Sequence, residues 1–462
     1  MDTEALRGVE PASALRHALG VDAASPVVVT DGPELEQVRV DRSGHRSSGP
    51  PLALVTAGDV ADVQATLRFA TAHRIPVIPR GAGTGLAGGA TAGEGEIVLS
   101  TLAMDRILEV SVPDQLAVVQ PGILNAGLNA ELVPHGLWFA PDPASRAIST
   151  IGGNIATNAG GLLCAKYGVT RESVLGLKVV LADGTLLTLG HRTVKGVTGY
   201  DLTALMIGSE GTLGVIVEAT LKLLPLPAPG VATIGAYFRT VRDAAAASAA
   251  VTAAQLTPAV MELIEERGLA AIGAYLGLDL TGRGSYLLVS FDGPGARVEA
   301  EQALAVLGAL AVDTEMTTDP VESERLFAVR RSAHYAFDAL GTGLIEDIAV
   351  PRSALPEMFD AVTAIADRHG ILLPVVAHAA DGNLHPTFIF EGEEVPEAVW
   401  TAAGELFEEA LRLGGTLTGE HGVGLLKKRW LRRELGDVQH ELQRSIKEVF
   451  DPLGILNPGK VF

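Results

Sequence analysis

The sequence predicts an α+β chain built from two main domains, and three observations carry that prediction. Apolar segments in the order β-α-β-β-α-β occur twice between residues 231 and 418. Three glycine-rich stretches lie close together between residues 79 and 216, among shorter α/β elements. Pro225, Pro227 and Pro229 fall between the two regions and mark a boundary. The expected division is an N-terminal arm over residues 1–50, an α/β domain of two subdomains over 51–226, a ferredoxin-like domain with an antiparallel sheet over 227–418, and a closing segment, 419–462, that returns to the first domain.

Size and composition bound the possibilities. A chain of 462 residues with 47% apolar content is too long for one small core. Fifty-five acidic against 35 basic residues give a formal charge of −20, which excludes a general affinity for nucleic acid or anionic membrane but leaves room for a local basic pocket. Cys164 is the only cysteine, so no internal disulfide and no cysteine-based metal or iron–sulfur cluster is available. Residues 1–20 lack the basic start and apolar core of a signal peptide, and no uninterrupted apolar run reaches about 18 residues. The expectation is a cytoplasmic protein without an integral membrane segment; peripheral association with a membrane stays open.

In chain order, residues 10–19 read as a helix and 40–50 as polar loop. Residues 51–56 form a strand, 60–73 an amphipathic helix, and 75–79 a strand that runs into the richest glycine cluster. There Gly83, Gly85 and Gly88 spell the dinucleotide-binding pattern G-x-G-x-x-G, but its context fails. That pattern needs a helix opening at the glycines, whereas residues 89–95 are turn-like and 97–99 again read as a strand. No Gly-Lys-Ser/Thr follows either, so a P-loop is excluded. What remains is a loop of exposed backbone N–H groups suited to wrapping a phosphate, or a set of tight turns with no ligand. The stretch 149–161, preceded by Pro141-Asp142-Pro143, combines hydroxyls, amides and glycines able to hydrogen-bond a flat polar heterocycle. A third stretch, 208–216, leads from a loop into a strand.

Beyond the prolines, strands are expected at 231–238, 259–264, 285–292 and 311–316, with helices at 241–256 and 296–310. After a helix at 321–340 the order recurs: 343–350, 355–368, 372–377, 384–390, 396–413 and 415–418. Asp381-Gly382 between two apolar runs predicts a two-residue hairpin. In that register His378 faces His385 across the ladder, with β-carbons roughly 5 Å apart. Two imidazoles that close can share one divalent ion, although two unrelated polar residues beside a loop would look the same. With the ferredoxin-like strand order 4-1-3-2, Glu420 emerges on the same sheet edge as a third ligand candidate. His421, its neighbour in an extended segment, points to the opposite side.

Taken together, these stretches resemble the flavin-dependent 2-hydroxy-acid dehydrogenases with a PCMH-type (vanillyl-alcohol-oxidase-type) FAD domain, a group that includes D-lactate dehydrogenases, the FAD subunit of glycolate oxidase and D-2-hydroxyglutarate dehydrogenases. The resemblance runs from about Leu52 to Phe462. It rests on the segments 79–85, 141–143, 149–161, 166–168, 195–201, 208–216, the two-histidine segment, Gly419-Glu420-His421-Gly422 and residues 457–460.

The resemblance implies a PCMH-type FAD-binding domain followed by a ferredoxin-like cap. Pro79, Arg80, Gly81, Ala82, Gly83, Thr84, Gly85, Leu86 and Gly88 would hold the FAD pyrophosphate. Pro141, Asp142, Thr150, Ile151, Gly152, Gly153, Asn154, Asn158, Gly160, Gly161, Glu210, Gly211, Gly214 and Ile216 would line the rest of the cofactor, with Asn457 returning from the C-terminus. Some relatives attach flavin through a histidine; neither glycine loop contains one here, so non-covalent FAD is expected. His378, His385 and Glu420 would bind a divalent ion, zinc or manganese. His421 would be the base, Arg330 would clamp the substrate carboxylate, and hydride would pass to flavin N5. Arg330 also has a plainer reading, as a helix arginine paired with a nearby glutamate. Phe327 stands where the family pattern often has tryptophan.

The expected activity is oxidation of a D-2-hydroxy acid to the 2-oxo acid, D-lactate first, with glycolate or D-2-hydroxyglutarate as alternatives. The onward acceptor would be a quinone, a cytochrome or a partner subunit, and a homodimer is compatible with the sequence. The rival reading from another class is a metal-dependent hydrolase or isomerase using the two histidines and Glu420. A non-catalytic flavin-binding subunit is the third.

Overall fold

The computed structural model describes residues 11–22, 25 and 27–462; the beginning of the predicted arm, residues 1–10, lies outside them. The described chain divides into two compact units. One comprises the residues up to Gly161, Gly168–Leu226 and Glu420–Phe462, and the other Leu162–Tyr167 and Pro227–Gly419.

The first unit carries two main sheets and a two-stranded pair, Leu137–Trp138 with Leu224–Pro225. In the smaller main sheet, Ala53–Thr56, Ile97–Ser100 and Val77–Arg80 run parallel, and Val28–Val29 adds an antiparallel edge strand, so the segment before residue 50 is built into this unit. The helix Val60–His73 packs Val63, Leu67, Phe69 and Ala70 against this sheet. Its start is set by Asp59, whose carboxylate accepts from the amides of Ala61 and Asp62, and its end by Arg74 in the left-handed region at φ 52°. The second sheet is antiparallel throughout, in the order Ile107–Ser111, Leu116–Val119, Val215–Lys222, Val174–Val180, Leu186–Gly190.

One stretch read as loop is partly helical: Ile151–Thr157 forms two turns. Gly152 and Gly153 are poor helix formers, so propensity argues against it. Packing decides instead, because Ile151 and Ile155 are buried in the second core and a β-carbon on Gly152 would stand 2.5 Å from that of Pro121. Thr150 caps the helix by accepting from the Gly153 amide at 3.2 Å. The kinked helix Lys428–Phe450, broken at Gly436, was not anticipated from the sequence. Among the described residues no helix is long and apolar enough to cross a membrane.

The second unit holds one continuous antiparallel sheet rather than two separate ones. Asp313–Thr317, Val231–Phe238, Ser285–Asp292 and Val260–Ile264 stand in the expected 4-1-3-2 order. Val260–Ile264 then pairs with Val375–His378, which leads on to Asn383–Phe390 and Thr342–Ile345. Three local expectations need correction. The first strand of the second repeat is split into Thr342–Ile345 and Ile348–Ala349 by the buried acids Glu346 and Asp347. The predicted helix 321–340 is two, Pro320–Arg331 and Ala333–Asp338, divided at Ser332, whose hydroxyl bonds back to the Ala328 carbonyl. The predicted strand 415–418 shrinks to a single bridge between Ala349 and Thr416. Asn383 takes the Ile348 carbonyl with its side chain, so that carbonyl is unavailable to a longer ladder.

Candidate functional site

In the first unit the glycine cluster leaves the strand Val77–Arg80 as an open loop with no helix behind it, as the sequence argued. Gly83 and Gly88 take positive φ values of 68° and 76°, and a side chain on Gly81 would collide with the Thr150 hydroxyl. Among the described residues nothing accepts a hydrogen bond from the amides of residues 81–89. A half-buried run of donors without acceptors fits a phosphate group. Beneath it lies Arg80, bonded to the carbonyls of Ala90 and Val40; burial holds its pKa below the usual guanidinium range. Lys460, pushed down to about 8 by burial, donates to the carbonyl of Thr91 and to Asn457. These residues therefore fit the pyrophosphate of a dinucleotide cofactor.

The other predicted cofactor residues separate into two groups. Gly160 and Gly161 leave room for neighbours: a side chain at Gly161 would sit 2.5 Å from the Asp142 carbonyl, and one at Gly160 would strike the Glu420 carboxylate. The Pro141 carbonyl is held by Asn125. By contrast, Ile151 is fully buried, Asn154 is spent on bonds with Asn125 and Ser149, Thr150 is the helix cap, and the Asn158 side chain accepts from the Arg171 amide. Gly214 and Ile216 belong to the approach and body of a strand, Gly214 lying against Val179 and Ile216 packing on the second core. The side chains of Thr150, Ile151, Asn154 and Asn158 are thus engaged within the unit itself.

The C-terminal segment is bound tightly into this unit. Asn457 bridges the carbonyls of Gly89 and Glu210, and the Leu425 amide bonds to Ala87 at 2.8 Å. Glu210, in the left-handed region at φ 51°, turns its carboxylate to the C-terminal segment. It accepts from the amides of Val423 and Gly424, both at 2.8 Å, and a side chain on Gly422 would press against it. Burial raises this carboxyl to about 7, although the two amides pull the other way. Gly211 (φ 72°) lies against Pro79. Glu210 thus anchors the loop carrying Glu420 and His421, and Glu420 packs on Gly160, so the predicted base lies next to a predicted flavin loop.

In the second unit His378 and His385 do come together. The observed register pairs His378 with Asn383 and Val376 with His385, two residues away from the predicted one. The turn is a four-residue loop, 379–382, closed by the Gly382 amide on the His378 carbonyl at 3.0 Å. A shift of two preserves the faces of a strand, so the histidines become diagonal neighbours on one side. Their rings lie 5.0 Å apart at 81°, and a nitrogen of each is within 4.8 Å of the other. Both are buried, at 5% and 7% exposure.

Two acids absent from the predicted site lie beside this pair. Glu262, fully buried, receives His378 Nδ1 at 2.7 Å on one oxygen and Arg330 Nε at 2.7 Å on the other. Burial alone would raise its pKa, but the adjacent His378 and Arg330 more than offset that and hold it below the usual carboxylate range. Asp347 accepts from Asn383 at 2.6 Å and stands 3.9 Å from His385 Nδ1. Arg330 is therefore paired with a glutamate, as its plainer reading held, but inside the histidine cluster rather than on a helix surface. The sequence offered a signal for both acids: Glu262 is a lone charge inside the apolar strand Val260–Ile264, and Asp347 is one of two adjacent acids, with Glu346, inside the apolar run from Leu344 to Val350.

The glycine loops of the first unit suit a dinucleotide, and the second unit by itself holds a buried histidine pair linked through a carboxylate to a guanidinium. The family comparison agrees. Residues 51–190 match the family described as FAD binding domain and residues 229–461 match FAD linked oxidases, C-terminal domain. The chain belongs to the FAD-linked oxidases, which removes the hydrolase and isomerase alternatives. It is 40% identical to the glycolate oxidase subunit GlcD of Bacillus subtilis over 89% of each chain. It is 38% identical to a D-lactate dehydrogenase of Archaeoglobus fulgidus over 88% of this chain and 90% of that one. Among solved structures, p-cresol methylhydroxylase superposes with a TM-score of 0.78 at 16% identity, covering 98% of this chain and 96% of the other, and shows a shared fold.

Proposed function

We propose that this protein oxidises a D-2-hydroxy monocarboxylate, D-lactate before glycolate, with non-covalent FAD and a divalent cation. The observation that carries the proposal is the buried His378–His385 pair joined through Glu262 to Arg330. Glu420 is the proposed third ligand: it follows Gly419, whose α-carbon lies against the Asn383 side chain of the second unit, and one peptide advances the chain by only about 3.8 Å. Two imidazoles and a carboxylate suit zinc or manganese and leave positions open for substrate oxygens.

When bound, flavin supplies the two-electron acceptor and the cation a Lewis acid that acidifies the substrate hydroxyl. Arg330 holds the substrate carboxylate with its two terminal nitrogens, since its Nε is committed to Glu262. His421 accepts the hydroxyl proton on a ring nitrogen. One guanidinium against the buried acids Glu262 and Asp347 favours a substrate with a single negative charge over a dicarboxylate. The onward acceptor is a quinone, a cytochrome or a partner subunit. The name of the Bacillus relative, a subunit, supports the last.

Anaerobic mixing of the purified flavoprotein with D-lactate, L-lactate, glycolate and D-2-hydroxyglutarate, with and without chelator, tests this reading. Rapid bleaching of the flavin by D-lactate, lost with chelator and restored by Mn²⁺, is expected. A flavin that dithionite bleaches but none of these acids can reduce would refute the proposed substrate class.

A further inference from the structure

We propose that Glu262 is a positioning residue that fixes two site groups at once, the tautomer of His378 and the orientation of Arg330; this rests on the function proposed above. Glu262 lies in the strand Val260–Ile264 directly opposite His378, so their side chains leave the sheet on one face. Its flanking residues Met261 and Leu263 are buried apolar side chains, and a charge among them is costly unless both oxygens are bonded. Both are: Oε1 to His378 Nδ1 and Oε2 to Arg330 Nε, each at 2.7 Å.

The chemistry of those two bonds is specific. An ionised carboxylate only accepts, so a neutral His378 carries its proton on Nδ1 and its lone pair on Nε2, the nitrogen that can ligate a cation. The same carboxylate occupies the Nε edge of Arg330, leaving the paired terminal nitrogens for a substrate carboxylate. A glutamine at this position could accept at one oxygen only. Its NH₂ would confront either Arg330 Nε–H, repelling the guanidinium, or His378, driving the imidazole to the opposite tautomer. Either arrangement damages one of the two functions that Glu262 serves.

The test uses the metal-stripped flavoprotein and E262Q. Mn²⁺ binding, read by competition with a chromophoric chelator, should weaken 10–100-fold in E262Q while flavin absorbance and melting temperature stay close to wild type. The KM for D-lactate should rise alongside. Equal Mn²⁺ affinity and equal KM in the two proteins would overturn the inference. If wild type itself binds no Mn²⁺, the metal reading under the proposed function fails instead. Histidine ¹⁵N spectra of the wild-type protein then still decide the role of Glu262, and they serve equally if E262Q does not fold. A proton on His378 Nδ1 supports it, and a proton on Nε2 alone overturns it.

Discussion

Glu210 gives a stability test whose sign can be worked out in advance. Its carboxyl is raised from 4.5 to about 7 in the folded protein, chiefly by burial among Gly422, Val423 and Gly424. Between those values the folded chain holds a proton that the unfolded chain has lost, so stability falls as pH rises through the window and is level on either side. At about 1.4 kcal/mol for each pH unit, the decline from pH 5 to pH 8 comes to about 2.5 kcal/mol. E210Q removes the titration while keeping the shape, since a neutral carboxyl and an amide are nearly isosteric. In urea unfolding the stability of E210Q relative to wild type should therefore rise by about 2.5 kcal/mol between pH 5 and pH 8, on top of a pH-independent offset from the amide. Turnover should move the opposite way: an amide can satisfy only one of the Val423 and Gly424 N–H groups, and that loop carries His421. A gap between the proteins that is the same at both pH values would show that the two amides compensate the buried charge.

Three further outcomes follow from the site. G81A places a methyl against the fully packed Thr150 hydroxyl, which caps Ile151–Thr157; loss of the cap, about 1 kcal/mol, plus overpacking of about 1–3 kcal/mol should lower the unfolding free energy and weaken FAD binding in a fluorescence titration. N383A removes the donors to Asp347 and to the Ile348 carbonyl, leaving a buried acid short of partners; a loss of about 2–4 kcal/mol is expected by urea unfolding, and a change under 1 kcal/mol would contradict it. Dialysis against a chelator should abolish D-lactate oxidation and leave the flavin spectrum in place, with Mn²⁺ restoring turnover. Full activity in protein shown to be metal-free would remove the cation from the histidine pair.

Much of this arrangement was legible in the sequence, and the misses have a common cause. Period-two and period-3.6 patterns report local structure, so strands such as Val231–Phe238 and Ser285–Asp292 and the helix Val60–His73 were read at their observed bounds. Asp381-Gly382 looked like a two-residue turn because that preference is also local. The actual loop is set from a distance: Gly382, at φ 89°, has no side chain because the Val350 carbonyl occupies that space. The histidines survived the error, since a two-residue slip leaves both on the same face. Glu262 was missed because its partners, Arg330 and His378, lie 68 and 116 residues further along the chain.

One long-range feature was nonetheless open to deduction. A four-stranded sheet in the order 4-1-3-2 leaves its second strand on an edge, with unpaired backbone groups that invite another strand. Two such repeats in one chain offer two edges of the same kind, and joining second strand to second strand removes both. That is the pairing of Val260–Ile264 with Val375–His378. Once the two strands are set antiparallel, the acid of the first apolar run and the histidine ending the second come into register, Glu262 opposite His378. The requirement to satisfy two sheet edges is thus the same event that delivers a carboxylate to the imidazole, and it links the fold of the second unit to the chemistry proposed for it.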